Sequence, residues 1–216
     1  MKNRFYMMCL RETVGSNASF HCHNGNGYSS DIRQAHVYTR EEAQRRWDYG
    51  RMIDLPVSAD DIDALAMWHT DHQRLSCDSQ ITPDCREYVA YVRGTWNGND
   101  VYWLQDIGLP TDDFSKARVF SEARQDDKEL VWLPFAVADA IKRPTFNIHQ
   151  LNRRVMVQGA GLVAPDHIKR ATRRQKASTG KVRWNCPCCG RISWQLNPYD
   201  FDGCNDVNCE EWRMKL

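Results

Sequence analysis

Five of the chain's nine cysteines fall in its last 33 residues, and their spacing is the strongest chemical signal in the sequence. Cys186 and Cys189 stand two residues apart in Trp184-Asn185-Cys186-Pro187-Cys188-Cys189-Gly190. That spacing lets two thiolates face one centre while the glycine permits the tight turn behind them. Zn²⁺ takes four soft ligands in a tetrahedron, and Cys204 and Cys209 can complete the set. Cys188 is a spare that could replace Cys186 or Cys189. Between the two pairs, Arg191–Phe201 alternates and then turns at Asn197-Pro198, the pattern of a hairpin. The expectation is a zinc ribbon with one structural Zn²⁺, disulfides or free thiols being the alternative. A closed four-ligand site folds a module too small to have a core of its own.

A strongly basic stretch precedes this module. Residues 151–183 hold nine lysines and arginines against the single acid Asp166, a net of +8, although the whole chain carries only +1. Residues 184–216 sum to −2 and residues 1–150 to −5. Such segregation points to a polyanionic partner. Asp166–Lys176 reads as a short basic helix capped by Asp166. It carries Lys169, Arg170, Arg173, Arg174 and Lys176, and Lys181 and Arg183 follow. Cations in this arrangement neutralise phosphates largely without regard to base sequence, and Trp184, Trp194 and Tyr199 could stack on unpaired bases. An acidic protein surface or plain solvation of a linker are the competing readings.

Two further groupings are weaker. His69, His72, Cys77 and Cys85 have ligand types that suit a second zinc. His21-Cys22-His23 reads as strand, which would put both histidines on one face. Nothing in the sequence has the form of a nucleophile elbow, a His-Glu-x-x-His helix or a phosphate-binding glycine loop. A non-enzymatic protein is therefore expected, with a nuclease as the enzymatic alternative. No apolar run approaches the roughly 18 residues of a membrane span, and Met1–Tyr6 does not read as a secretory signal. Clustered cysteines without such a signal argue for a reducing cytoplasm.

The elements that must carry these residues read as α+β. Residues 4–39 align without gaps on 86–121 at an offset of 82, with Tyr6 against Tyr88, Asp31 against Asp113 and Ala35 against Ala117. Leu55-Pro56 matches Leu133-Pro134 at an offset of 78. Two tandem copies of a small unit are expected, packed by pseudo-twofold symmetry. Each opens with a strand (Phe5–Arg11, Tyr88–Arg93) and a return strand (Ser19–His23, Asp100–Gln105). Asp31 and Asp113 begin turns of the Asx type. Thr39-x-x-Glu42 is a capping box, predicting a helix over 40–49. A weaker helix start is expected at Ser121, and Ser58 begins another helix with Ile62, Leu65, Ala66 and His69 on one face. The expected organisation is repeat 1 over 1–73, a connector over 74–85, repeat 2 over 86–150, a basic flexible arm over 151–183 and a zinc ribbon over 184–216.

The run Gly27-Tyr28-Ser29-Ser30-Asp31 through Ala35, Val37-Tyr38-Thr39 and Glu41-Glu42-Ala43 resembles a pattern in small accessory proteins of tailed phages and prophages. The Cys186-Pro-Cys-Cys189-Gly ribbon looks like the short ribbons of phage restriction-alleviation proteins, though those usually carry Cys-x₂-Cys in the second knuckle as well. The resemblance implies a protein of the bacterial host cell that acts on its nucleic-acid or defence machinery, so the expected partner is nucleic acid or a host complex handling it, in the cytoplasm; a homo-oligomer is also compatible with the sequence. A counter-defence inhibitor working by protein contact is the rival reading.

Overall fold

A computed structural model describes residues 2–124, 127–177 and 180–212; the side chains of 174–177 lie outside the described set. The chain is α+β and divides into two compact units, Met1–Val163 and Ala164–Leu216. Among the described residues no helix is long and apolar enough to cross a membrane.

In the first unit, strands β1 (Phe5–Val14) and β2 (Asn17–His21) form a hairpin. β3 (Tyr28–Ser29) extends it on one side, and β4 (Asp54–Ser58) pairs with β1 on the other. Helix α1 (Arg40–Tyr49) lies between β3 and β4 in the chain and has the predicted cap. Thr39 Oγ1 accepts from the Glu42 amide at 3.3 Å, and Glu42 Oε2 accepts from the Thr39 amide at 2.9 Å. Helix α2 (Ala59–Ala64) is capped by Ser58 but stops short of Leu65. His69, expected on that helix, lies instead on β5 (Met67–His69). The second half repeats the order β2-β1-β4 as β7 (Asp100–Trp103), β6 (Tyr88–Asn97) and β8 (Leu130–Pro134). Helix α3 (Phe135–Ile141) and β9 (Arg143–Thr145) follow. The helix start expected at Ser121 gives only bends over 121–122. Arg124 stands where Glu42 closes the first cap, so the box cannot form.

The two halves share a hydrogen-bond pattern. Phe5 exchanges two amide bonds with Tyr38, at 2.9 and 2.8 Å, and Tyr88 does so with Phe120, both at 2.8 Å. The Ala59 amide donates to Arg4 O at 2.9 Å, and the Phe135 amide to Glu87 O at 2.8 Å. Asp31 and Asp113 each accept from the amide two residues on, at 3.0 and 3.1 Å. These bonds correct the sequence alignment in detail. Tyr88 stands in the place of Phe5, not Tyr6, and Pro134 in the place of Ser58, not Pro56. Ala35 and Ala117 each close the short turn that begins after Asp31 and Asp113. The loop before Asp113 is one residue shorter than that before Asp31, which moves the strands out of step with the turns.

The halves also exchange ends. The Ala18 amide donates to Phe146 O at 2.9 Å, and the Val101 amide to Thr70 O at 3.2 Å. β5 and β9 pair antiparallel about Trp68 and Pro144. The two hairpin turns meet at Gly15, whose φ is +61°; a Cβ there would lie 2.6 Å from Gly98 N and 2.7 Å from Asn97 C. Gly15→Ala should therefore lower stability by about 2 kcal/mol or more, read from denaturant unfolding. At the junction, Asp100 is fully buried and accepts from Asn17. His69 Nδ1 lies 2.9 Å from its Oδ2, and Arg143 Nη2 lies 2.7 Å from its Oδ1. The apolar cores flank this polar seam, Phe5, Met8, Phe20 and Val57 on one side and Val89, Trp103, Val131 and Leu133 on the other.

Residues 151–163, expected as the start of a flexible arm, belong to the first unit. Met156, Val157, Ala160 and Leu162 are buried there, and Gln44 exchanges two hydrogen bonds with the Val163 backbone, both at 2.9 Å. The apolar spacing of this turn outweighs its glycines. In the second unit, helix α4 (Asp166–Ala177) precedes the hairpin of β10 (Val182–Asn185) and β11 (Ile192–Gln195).

Candidate metal centre and basic helix

The four cysteines picked out by spacing converge. Their sulfurs all lie within 4.8 Å of one another, and three of the four residues are buried. Cys186 Sγ is 3.6 Å from Cys209 Sγ, and Cys189 Sγ is 3.6 Å from Cys204 Sγ. A tetrahedron with Zn–S bonds of about 2.3 Å has sulfurs about 3.8 Å apart, whereas a disulfide holds them at about 2.05 Å. All nine cysteines are free thiols. The set can hold a metal ion such as zinc.

Local backbone geometry explains how both pairs reach one point. The turn after Cys186 closes with the Gly190 amide on Cys186 O at 2.9 Å, and Gly190 takes a φ of +70°. The Cys189 amide points at Cys186 Sγ at 3.5 Å. The longer Cys204–Cys209 loop arrives at the same arrangement. The Asp206 amide points at Cys204 Sγ at 3.4 Å, and the Cys209 amide returns to Asp206 O at 3.1 Å. Amide donors to sulfur favour thiolate over thiol. Burial pushes the Cys186 thiol up, but the amides of Cys189 and Cys188 outweigh it and bring the group down to about 7. At Cys209 an amide at Glu211 acts downward, yet burial and the neighbouring thiol of Cys186 raise the group overall. Four crowded sulfurs cannot all ionise without a cation among them. Cys188 is exposed and lies outside the set.

The basic residues occupy an exposed helix. Lys169, Arg170 and Arg173 are all exposed on α4, and Lys169 pairs with Asp166 at 3.3 Å. Arg174 and Lys176 lie on the same helix, with side chains outside the described residues. Lys181 and Arg183 are exposed ahead of the metal site. The two tryptophans part company. Arg183 pairs across the hairpin with Trp194, which is 56% exposed, and Asn185 pairs with exposed Ile192. Trp184 points to the opposite face and rests 6.2 Å from the Phe201 ring. Strand alternation separates them, so of the two only Trp194 offers an open ring. Tyr199 is exposed as well.

The second suggested zinc set does not assemble. His69 is buried against Asp100 and Thr145. His72 stacks on Trp96 at 4.3 Å. Cys77 is exposed, and Cys85 Sγ donates to Glu87 O at 3.2 Å. Among the described residues, Cys186, Cys189, Cys204 and Cys209 form the one converging group of three or more such ligands. The strand expected through His23 ends at His21, so the two histidines do not share a strand face. His21 instead meets Asp54 at 3.0 Å beside a cleft that no sequence motif marks. Its one advance signal was Arg46, whose helical neighbour four residues earlier, Glu42, is committed to the cap.

Fold and site together define an α+β chain whose second unit joins an exposed basic helix to a four-cysteine centre able to hold a metal. No protein-family model, no curated protein and no solved structure matches it.

Proposed function

We propose that Ala164–Leu216 is a zinc-ribbon module that binds nucleic acid, carried by a non-enzymatic accessory protein of phage type acting in the bacterial cytoplasm. The observation that carries this reading is the pairing of an exposed basic helix with a ribbon face on which Arg183 lies beside the open ring of Trp194. Cations on α4 meet phosphates, and Trp194 stacks on a base. The thiolate donor set and the sulfur separations support zinc as the metal, which would act structurally by holding the hairpin and the Cys204–Cys209 loop together. We also read Met1–Val163 as two copies of one α+β unit; the recurring backbone bonds and the mutual exchange of ends support that reading.

The test is binding of a labelled single-stranded oligonucleotide by wild type and by a variant with Arg170, Arg173, Arg174 and Lys176 changed to alanine. Alanine preserves the helix. Wild type should bind at about 10⁻⁴–10⁻⁶ M at physiological salt. The variant should bind at least about tenfold more weakly with unchanged zinc content. Capture of a host partner by the variant in nuclease-treated lysate would instead support the protein-contact reading, and metal-dependent cleavage of the probe would support a nuclease.

A further inference from the structure

The first unit carries a cleft that the nucleic-acid reading of the second unit does not use. About 400 Å³ in volume, it is lined by His21, His36, Tyr28, Tyr38 and Arg46, with the loop through Gly25 and Gly27 along its rim. A second recess of about 360 Å³ shares His21 and Arg46 and adds Arg51 and Asp54. Both are of a size that holds small ligands.

The charges in this cleft are unevenly matched. Asp54 accepts from Arg51 Nε at 2.9 Å and Nη2 at 3.0 Å, and lies 3.0 Å from His21 Nε2. Its charge is thus committed. Arg46 is exposed, and its guanidinium sits 4.9 Å above the Tyr38 ring with no carboxylate partner among the described residues. His36 packs 4.3 Å from the same ring, and His21 lies edge-on to Tyr28 at 4.9 Å. A guanidinium free to make paired hydrogen bonds to oxyanions shares the cleft with the exposed ring of Tyr28, while Tyr38 is buried beneath Arg46.

The second half shows that the scaffold does not require this lining. The His36 amide donates to His21 O at 2.8 Å, and the Arg118 amide donates to Leu104 O at 2.8 Å, so Leu104 stands in the place of His21. β1 pairs Cys9 with Asp54, and β6 pairs Val92 with Leu130, so Leu130 stands in the place of Asp54. There Leu104, Leu130 and Phe120 pack into an apolar cluster around Trp132. In the second half apolar side chains take the places of His21 and Asp54, and the arginine over the ring, Arg118 at 4.8 Å from Phe120, is paired with Asp106 at 3.4 Å, whereas Arg46 has no such partner among the described residues.

We propose that this cleft binds a nucleotide, its base against the exposed ring of Tyr28 and its phosphate on Arg46 and the histidines. The nucleotide could be free or part of a single strand. The inference stands independently of α4. Calorimetric titration of the full chain with the four ribonucleoside monophosphates, inorganic phosphate and a short single-stranded oligonucleotide tests it. At least one mononucleotide should bind, and more tightly than phosphate. Arg46→Ala should weaken it about tenfold or more. His21→Leu, which installs the second half's residue, should also weaken it while leaving the unfolding midpoint in place. The α4 alanine variant should bind mononucleotides like wild type, even if its oligonucleotide affinity falls. Competition by the oligonucleotide would assign the site to a strand, and its absence to a free nucleotide. No binding of any mononucleotide at about 1 mM, binding no tighter than phosphate, or binding unchanged in both Arg46→Ala and His21→Leu would overturn the proposal.

Discussion

Replacing Cys186, Cys204 or Cys209 by serine should abolish metal binding at the four-cysteine centre and unfold residues 180–212, leaving Met1–Val163 folded. The apolar cluster of the ribbon consists of these three buried thiols with Phe201 packed against them. Among the described residues this hairpin has no other apolar cluster to hold it. Structural zinc contributes on the order of 10–16 kcal/mol of apparent binding free energy at neutral pH, and that free energy is folding free energy. Losing one of four ligands is expected to remove most of it. Cys189→Ser should act the same way, since Cys189 Sγ faces Cys204 across the site. Cys188→Ser should leave metal content unchanged, because that side chain is exposed and outside the ligand set. Acid should release the metal, since protons compete with it for each thiolate. Elemental analysis gives the stoichiometry, and amide spectra of the ribbon report its folding. One zinc per chain in Cys188→Ser and none in Cys186→Ser is the expected pair of results.

Asp100→Ala should destabilise Met1–Val163 by about 3–5 kcal/mol. Asp100 is fully buried where the two hairpins meet, and it serves His69, Arg143 and Asn17 together. Removing it leaves the Arg143 charge in the interior without its counter-ion and takes a hydrogen-bond partner from the His69 ring. Burial alone would raise the Asp100 carboxyl. The hydrogen bond with His69 and the charge of Arg143, aided by Asn17, outweigh burial and hold it below its ordinary value. A depressed carboxyl stabilises the folded state above its unfolded pKa, and that contribution is lost as pH falls through the folded pKa. The loss should therefore appear below about pH 4. Denaturant unfolding across pH 3–7 should show a steeper acid decline in wild type than in Asp100→Asn. An Asp100→Ala variant within about 1 kcal/mol of wild type would mean the buried network contributes little.

What was legible in the sequence was local. The Thr39–Glu42 box, the Asp31 and Asp113 turns and the Cys186–Cys189 knuckle each depend on residues within five positions, so spacing alone specifies them. The Cys204–Cys209 pair deviates from the usual spacing, yet an extra turn through Asp206 absorbs the difference. What escaped was set by distant partners. His69 reads as the end of a helix face, but its burial against Asp100 and Thr145 belongs to a strand that pairs across the two halves. The glycines of residues 159–161 read as flexible, but Met156, Val157 and Leu162 fix the segment to the first unit. Trp184 and Trp194 are equivalent by residue type, and only the hairpin register puts them on opposite faces. The cleft beside Arg46 is assembled from β2, β3, α1 and the loop between strands, and no window of sequence contains it.

In the proposed function the cations of α4 and the ribbon face engage the phosphates of a nucleic acid. The most direct test is the salt dependence of oligonucleotide binding by the intact, metal-loaded chain. The logarithm of the association constant should fall linearly with the logarithm of salt concentration, with a slope that flattens by roughly 2–3 when the four α4 cations are replaced by alanine. A wild-type protein that fails to bind single- or double-stranded DNA or RNA even at low salt would contradict the account.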